Sequence, residues 1–197
     1  MKSSPSPAEA KASLRTRLRA ELNAIAPALR AAASVHLCAR TRNSLAWQNS
    51  RAVLLFFPVV SEPDISPLLA DALAAGKLLA LPRFDPAANG YVAARVCDPV
   101  RELAAGPFQV REPVAACSVV PLNRLDLALV PGLGFDARGH RLGRGKGHYD
   151  RLLAGFTGMK IGVAFDFQIM AEVPCEAHDI ALDAVVTPTR WLEARAD

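Results

Sequence analysis

The stretch from Val130 to Arg151 concentrates the residue types best suited to hold an anion. It carries six glycines, at 132, 134, 139, 143, 145 and 147, interleaved with Arg141, Arg144 and Lys146. Glycine tolerates positive φ and lets a ligand approach the backbone closely. Successive exposed N–H groups can form an anion-binding nest, and a helix predicted to start near Gly147 would aim its positive end at the same place. Arginine grips phosphate in bidentate fashion, while lysine acts as a mobile point charge. The common nucleotide motifs fail here. A Walker A loop needs Ser or Thr after Gly145-Lys146 and Gly at 140, but the chain has Gly147 and His140; a GxGxxG reading from Gly143 needs Gly at 148, which is His148. The phosphate-binding logic survives those failures. The plainer alternative is a flexible surface loop with incidental charge.

Other elements must position this loop. Leu14, Leu18, Leu22 and Ile25 recur at helical spacing from about Ala8, with Lys11, Arg15 and Arg19 four apart along one face. Pro27 suits the first turn of a second helix over about Ala28 to Ala46. Apolar runs at Ala52–Phe57, Lys77–Leu81, Leu125–Val130 and Met159–Phe165 read as strands buried on both faces, the first two ended by proline, and Ala184–Thr187 as a short fifth. Tyr91–Val96 is a possible further strand. A helix over Asp64–Ala75, closed by Gly76, and one over His148–Ala154 alternate with them. The pattern predicts an α/β fold: a three-layer αβα, Rossmann-like domain with a central, mostly parallel sheet flanked by helices. Residues 1–7 read as a flexible tail and residues 8–197 as a single domain. The loop begins at the C-terminal end of a strand, where open α/β sheets bind ligands.

Composition limits the alternatives. The chain has 197 residues, 51% hydrophobic and 21% charged, which excludes global disorder. Its longest apolar run, Ala52–Val60, is too short to span a membrane. Four scattered cysteines suit a reduced, cytoplasmic protein better than a disulfide scaffold. The Ser/Pro-rich start offers no apolar export segment. Residues 1–51 hold nine Lys/Arg and two Asp/Glu, net +7, against net −3 for the remainder. That asymmetry suggests an anionic partner for the first helices, without saying which anion.

The loop resembles the 5-formyltetrahydrofolate cyclo-ligase (5,10-methenyltetrahydrofolate synthetase) family, whose pattern is roughly PGxxFDxxGxRLGxGxGxYD. It matches at Pro131-Gly132, Phe135-Asp136, Gly139, Arg141-Leu142-Gly143, Gly145, Gly147 and Tyr149-Asp150. His148 stands where the family usually has an aromatic. The likeness extends to Lys11 and Arg15 in the first helix, Glu62, Gly76-Lys77, Leu81-Pro82, Glu112-Pro113, Gln168, and Pro174-Cys-Glu-Ala-His-Asp179 followed by Asp183.

The resemblance implies an ATP-dependent ligase of one-carbon metabolism. It would cyclise 5-formyltetrahydrofolate, with or without a polyglutamate tail, to 5,10-methenyltetrahydrofolate, through a phosphorylated formyl (imidate) intermediate, releasing ADP and phosphate. It implies ATP and Mg²⁺ as cofactors, no nucleic-acid or membrane partner, and a monomer. By matching position, Lys11, Arg15, Arg141, Gly143, Arg144, Gly145, Lys146, Gly147, His148 and Tyr149 would bind ATP. Arg144 and Lys146 would also be catalytic, neutralising developing charge. Phe57, Glu62, Phe84, Phe108, Arg144, Lys146 and Tyr149 would bind folate, and Asp150 and Asp183 would hold magnesium.

Several of these residues have plainer readings. Lys11 and Arg15 could be solvated helix residues, Glu62 could cap the helix near Ile65, and Phe57 could be core. Asp136 is expected to fix the loop through backbone hydrogen bonds. Cys175, His178 and Asp179 are too few for a zinc site. A competing class is a nucleotide- or RNA-binding module, which the basic first segment would suit. Against it, there is no aromatic-basic interleaving and the candidate catalytic positions are filled.

Overall fold

The computed structural model describes residues 6–107 and 110–195. Its first helix, α1 (Pro7–Ala24), starts inside the segment expected as a tail. Ser6 and Glu9 form a reciprocal capping box, with proline at the first helical position, and together they satisfy N–H groups that a helix start leaves open. Residues 1–5 of the expected tail lie outside the described residues. Helix α2 (Pro27–Asn43) stops earlier than its apolar pattern suggests. Ser44 adopts an extended conformation and its hydroxyl accepts from the Trp47 N–H, which starts a separate short helix, α3 (Leu45–Asn49).

The remaining elements are β1 (Ala52–Leu54), α4 (Ser66–Ala74), β2 (Leu78–Asp85), β3 (Gly90–Val96), β4 (Leu103–Ala105), β5 (Arg111–Pro113), β6 (Leu127–Pro131), β7 (Gly134–Asp136), β8 (Arg141–Leu142), α5 (His148–Leu153), β9 (Met159–Val163), β10 (Ile169–Met170), β11 (Ala184–Val186) and β12 (Trp191–Glu193). Seven strands form one sheet in the order β12-β11-β9-β6-β1-β2-β3. The five from β11 to β2 are parallel, and the edges β12 and β3 are antiparallel. This is the mixed α/β, mostly parallel sheet that the alternation of patterns predicts.

Buried side chains alternate across the sheet as strand geometry requires. Val53, Leu79, Leu127, Leu129, Ile161 and Val186 pack with Leu37 of α2, Trp47 of α3 and Leu68 of α4 on one face. Leu54, Ala80, Ala128, Val130 and Val185 pack with Leu152 and Leu153 of α5 on the other. Helix α1 joins neither layer. Its Leu18 and Leu22 pack on Leu133, Leu142, Phe165 and Val173, so it lies across the end of the domain where the parallel strands finish.

Two sequence expectations need correction. β2 does not end at Pro82 but runs to Asp85. Beyond Ala80 its ladder continues only with β3, so the missing proline N–H deprives no strand on the β1 side. The glycine-rich stretch is also more than a loop. β7 and β8 form a hairpin, extended by β10 into a second small sheet that carries α1.

Asp136 anchors that hairpin. It is buried, and its carboxylate accepts from the N–H groups of Arg138 (2.9 Å), His140 (3.1 Å) and Val173 (2.9 Å) while facing His140 Nδ1 at 3.1 Å. Asp136→Ala strands several buried donors. It is expected to destabilise the fold by about 2–4 kcal/mol, read as a lower urea midpoint at unchanged slope.

Candidate active site

The strand order reverses at β1, which has β2 on one side and β6 on the other. That is a topological switch point, where two chain segments diverge and leave a crevice beyond the strand ends. A cavity of about 470 Å³ opens there. The segment after β1 supplies Phe57 and Glu62, and the segment after β6 supplies Arg141 to Asp150. α1 brings Lys11, Arg15 and Arg19 over the top, β3 and β5 bring Tyr91 and Glu112, and the segment before β11 brings Glu176, His178 and Asp179.

Two positions of the glycine-rich loop take backbone conformations that only glycine accommodates easily. Gly145 sits at φ +106 and Gly147, which caps α5, at φ +62. α1 ties the loop down: Arg15 Nε donates to the Gly143 carbonyl and Arg19 Nη2 to the Arg144 carbonyl, both at 3.0 Å. Arg141 is buried, donates to Asp150 Oδ1 at 2.8 Å and lies over the Tyr149 ring. Lys146 is exposed on the cavity wall.

Like Arg141, the cavity cations Arg144 and Lys11 are held by carboxylates that also face the cavity. Arg144 Nη2 donates to Glu62 Oε1 at 2.8 Å and to Ser61 Oγ at 3.2 Å. Glu62 is buried, and its other oxygen accepts from the Val59 N–H; it caps no helix. Lys11 is buried too, with Nζ 2.7 Å from Glu176 and 2.5 Å from Asp179. Burial works to raise the Asp179 carboxyl, but the bonds from Lys11 and the Glu176 N–H outweigh it and hold the group below its ordinary value. A depressed carboxyl stabilises the fold above its unfolded pKa, and that stabilisation is lost as pH falls through the folded value. Lys11→Met is therefore expected to unfold at lower urea than the parent near neutral pH, with the gap closing below about pH 4. An equal gap at both ends of the range would contradict it.

His148, where the resemblance predicts an aromatic, supplies a ring. It packs edge-on against Tyr91 (5.2 Å) and Phe84 (5.7 Å). Its Nδ1 lies 2.8 Å from Arg151 Nη2, and since guanidinium only donates, Nδ1 accepts and the proton sits on Nε2. Burial, then Arg151 and Lys146, push its pKa down, so the ring is neutral near pH 7. Burial likewise pushes the Tyr149 phenol well up, with Glu62 and Tyr91 adding to it.

The structure thus brings together Lys11, Arg15, Phe57, Glu62, Arg141, Gly143 to Tyr149 and Asp150. Two expected site residues are not at the wall. Phe84 packs behind it, against Tyr91 and His148. Asp183 precedes β11 at the opposite end of the sheet, where its carboxylate accepts from the Lys160 N–H at 2.7 Å and pairs with Lys160 Nζ at 3.0 Å. Phe108 lies outside the described residues. Sequence reasoning missed Arg19, Tyr91, Glu112 and Asp179. The four-residue spacing of Arg19 from Arg15 was a usable signal; the others depend on tertiary placement. Glu112 is buried, accepting from the Phe84 N–H (2.8 Å) and the Tyr91 hydroxyl (3.1 Å), and burial pushes its pKa up.

Oxygen donors suited to a hard divalent cation gather on one side. Carboxylate oxygens of Glu176 and Asp179 and a ring nitrogen of His178 lie within 4.8 Å of one another. Asp150 Oδ1 reaches the adjacent Ile180 N–H at 3.5 Å. The Lys11 ammonium already sits between two of these carboxylates, so the group holds positive charge in this structure. No single helix among the described residues is long and apolar enough to cross a membrane.

Comparison with known proteins agrees on one family and one fold. The model of the 5-formyltetrahydrofolate cyclo-ligase family matches residues 7–188. The chain is 36% identical over 148 residues to the 5-formyltetrahydrofolate cyclo-ligase of Escherichia coli K12, covering 73% of this chain and 81% of that protein. Against the mouse protein of the same name it is 29% identical over 189 residues, covering 90% and 93%. The solved structure of Aquifex aeolicus 5,10-methenyltetrahydrofolate synthetase superposes with a TM-score of 0.85 at 33% identity, over 95% of this chain and 94% of that one.

Proposed function

This chain belongs to the 5-formyltetrahydrofolate cyclo-ligase family, and we propose that its switch-point cavity closes 5-formyltetrahydrofolate to 5,10-methenyltetrahydrofolate at the expense of ATP. The observation that carries the ATP-dependent reading is the meeting of the loop 141–150 with Glu62 at one cavity, through the 2.8 Å contact of Arg144 with Glu62. A cationic, glycine-rich cradle thereby adjoins an acceptor able to read ring N–H groups.

The chemistry explains why such neighbours are needed. A formyl oxygen on N5 is a poor leaving group. Transfer of the γ-phosphoryl group to that oxygen makes a phosphorylated imidate. N10 then attacks the formyl carbon and loses its proton to solvent, and phosphate departs carrying the former formyl oxygen. No protein nucleophile takes part, so catalysis rests on positioning and on stabilising spread negative charge. In our reading Arg144 and Lys146 face the phosphoryl group in flight, and the backbone from Gly143 to Gly147 cradles the triphosphate with Arg15 and Arg141. Phe57 and Tyr149 flank the folate ring, and Glu62 accepts from its N–H groups.

Asp150 and Asp179, with Glu176 beside them, are the residues that would hold Mg²⁺; Asp183 is replaced in that role by Asp179, which faces the cavity. Bound there, the ion would neutralise charge on the phosphate oxygens. Four free cysteines, Cys38, Cys97, Cys117 and Cys175, suit the reducing cytoplasm as the site of action.

Oxygen labelling tests the intermediate. With ¹⁸O in the formyl group, the label should appear in inorganic phosphate, as an isotope-shifted ³¹P resonance, one atom per turnover. Unlabelled phosphate from labelled substrate would exclude the phosphorylated imidate.

A further inference from the structure

We propose that the Arg144–Glu62 ion pair couples the two substrate sites, so that binding of either substrate strengthens binding of the other. The inference rests on the reading above, in which Glu62 faces the folate ring and Arg144 the phosphates. In this structure these two groups satisfy each other. Arg144 Nη2 is 2.8 Å from Glu62 Oε1, and the remaining Glu62 oxygen is occupied by the Val59 N–H. Glu62 is buried, whereas the Arg144 side chain is 45% exposed. The arginine is thus the partner able to swing. Its backbone stays in place, because Arg19 holds the Arg144 carbonyl at 3.0 Å.

The two residues approach from opposite sides of the switch point. Glu62 follows β1 and Arg144 follows β6, and these strands are parallel neighbours. A folate ring that takes over Glu62 Oε1 must displace the guanidinium, which is then released for phosphate. A triphosphate that draws Arg144 away leaves Glu62 as an open acceptor for ring N–H groups. The cost of separating the pair is the same in both cases and is borne once when both ligands are bound. Positive coupling follows without any movement of domains, and linkage makes it reciprocal. A half-exposed ion pair sets its size at about threefold to tenfold in affinity, at the low end of couplings between sites.

Titration calorimetry on the intact chain reads this directly. The probes are the Mg²⁺ complex of the non-hydrolysable β,γ-imido analogue of ATP and 5-formyltetrahydrofolate. The analogue should bind about threefold to tenfold more tightly when folate is saturating, and folate should gain by the same factor when the analogue is saturating. Glu62→Gln supplies the sharper sign. It does not touch the nucleotide in this account, yet it should tighten the analogue in the absence of folate, because Arg144 is no longer held back. Its coupling should fall below about twofold. A merely structural role for Glu62 predicts weaker binding of the analogue instead.

Equal affinities with and without the second ligand in the parent protein would overturn the coupling and leave the proposed function standing. Analogue binding unimproved in a folded Glu62→Gln would overturn it as well. A parent protein that binds the analogue but not 5-formyltetrahydrofolate would overturn both the coupling and the functional reading. If the variant does not fold, the reciprocity measured on the parent protein decides the matter alone.

Discussion

Lys146→Ala and Arg144→Ala should each lower kcat/KM by about 10²–10³-fold, with the thermal midpoint of Lys146→Ala close to that of the parent. Both side chains are exposed at the cavity, so their removal leaves no void. On the proposed reading, what is lost is positive charge directed at a phosphoryl group whose negative charge spreads during transfer. In this account, interactions made chiefly in the transition state dominate, so kcat should fall more than KM rises. Arg144→Lys should recover only part of the loss, since lysine keeps the charge but not the planar fork. Turnover unchanged in both alanine variants, measured with saturating MgATP, would remove the phosphate cradle from the mechanism.

A second large effect separates two aspartates that the sequence presents as equals. Asp179→Asn is expected to lower turnover at limiting Mg²⁺ by about 10²-fold or more, with partial recovery as the metal is raised, because it removes a carboxylate from the oxygen cluster beside the loop. Asp183→Asn should leave turnover within about twofold, since among the described residues its carboxylate serves Lys160, at the other end of the strands. Steady-state rates across a magnesium series distinguish the two. The reverse ranking would mean that the segment from Pro174 to Asp183 is arranged otherwise when the enzyme works.

The placement of the two aspartates shows which parts of the candidate site can be read from sequence. The glycine-rich loop was legible because its chemistry is local: the donors, the cations and the residues at positive φ lie within a few positions of one another. The parallel strands were legible because buried runs such as Leu127–Val130 are apolar on both faces. Asp179 was not distinguishable from Asp183, because which of them faces the cavity depends on where the chain enters β11. Glu112 reaches the site only through the pairing of β4 with β5 and the placement of β5 beside β2, which no periodicity in its neighbours announces. Phe84 shares the β2 strand with Pro82, which does line the cavity, yet its ring backs onto Tyr91 and His148. Arg19 sits at the same spacing as Lys11 and Arg15 and completes the basic face of α1, giving the uneven charge of the chain a structural purpose: that face clasps the loop.

His148 departs from the family pattern without opening a gap. Its ring occupies the aromatic cluster, and Arg151 fixes its tautomer. The substitution therefore changes the polarity of the wall and leaves its packing in place.

The most direct measurement mixes the purified protein with 5-formyltetrahydrofolate and MgATP and follows the near-ultraviolet absorbance of the methenyl product. The account predicts a band that grows only when ATP is present, with one ADP formed per product, and that is nearly lost in Lys146→Ala. Growth of the band at the same rate without ATP would contradict it, as would no growth from a folded protein shown to bind ATP.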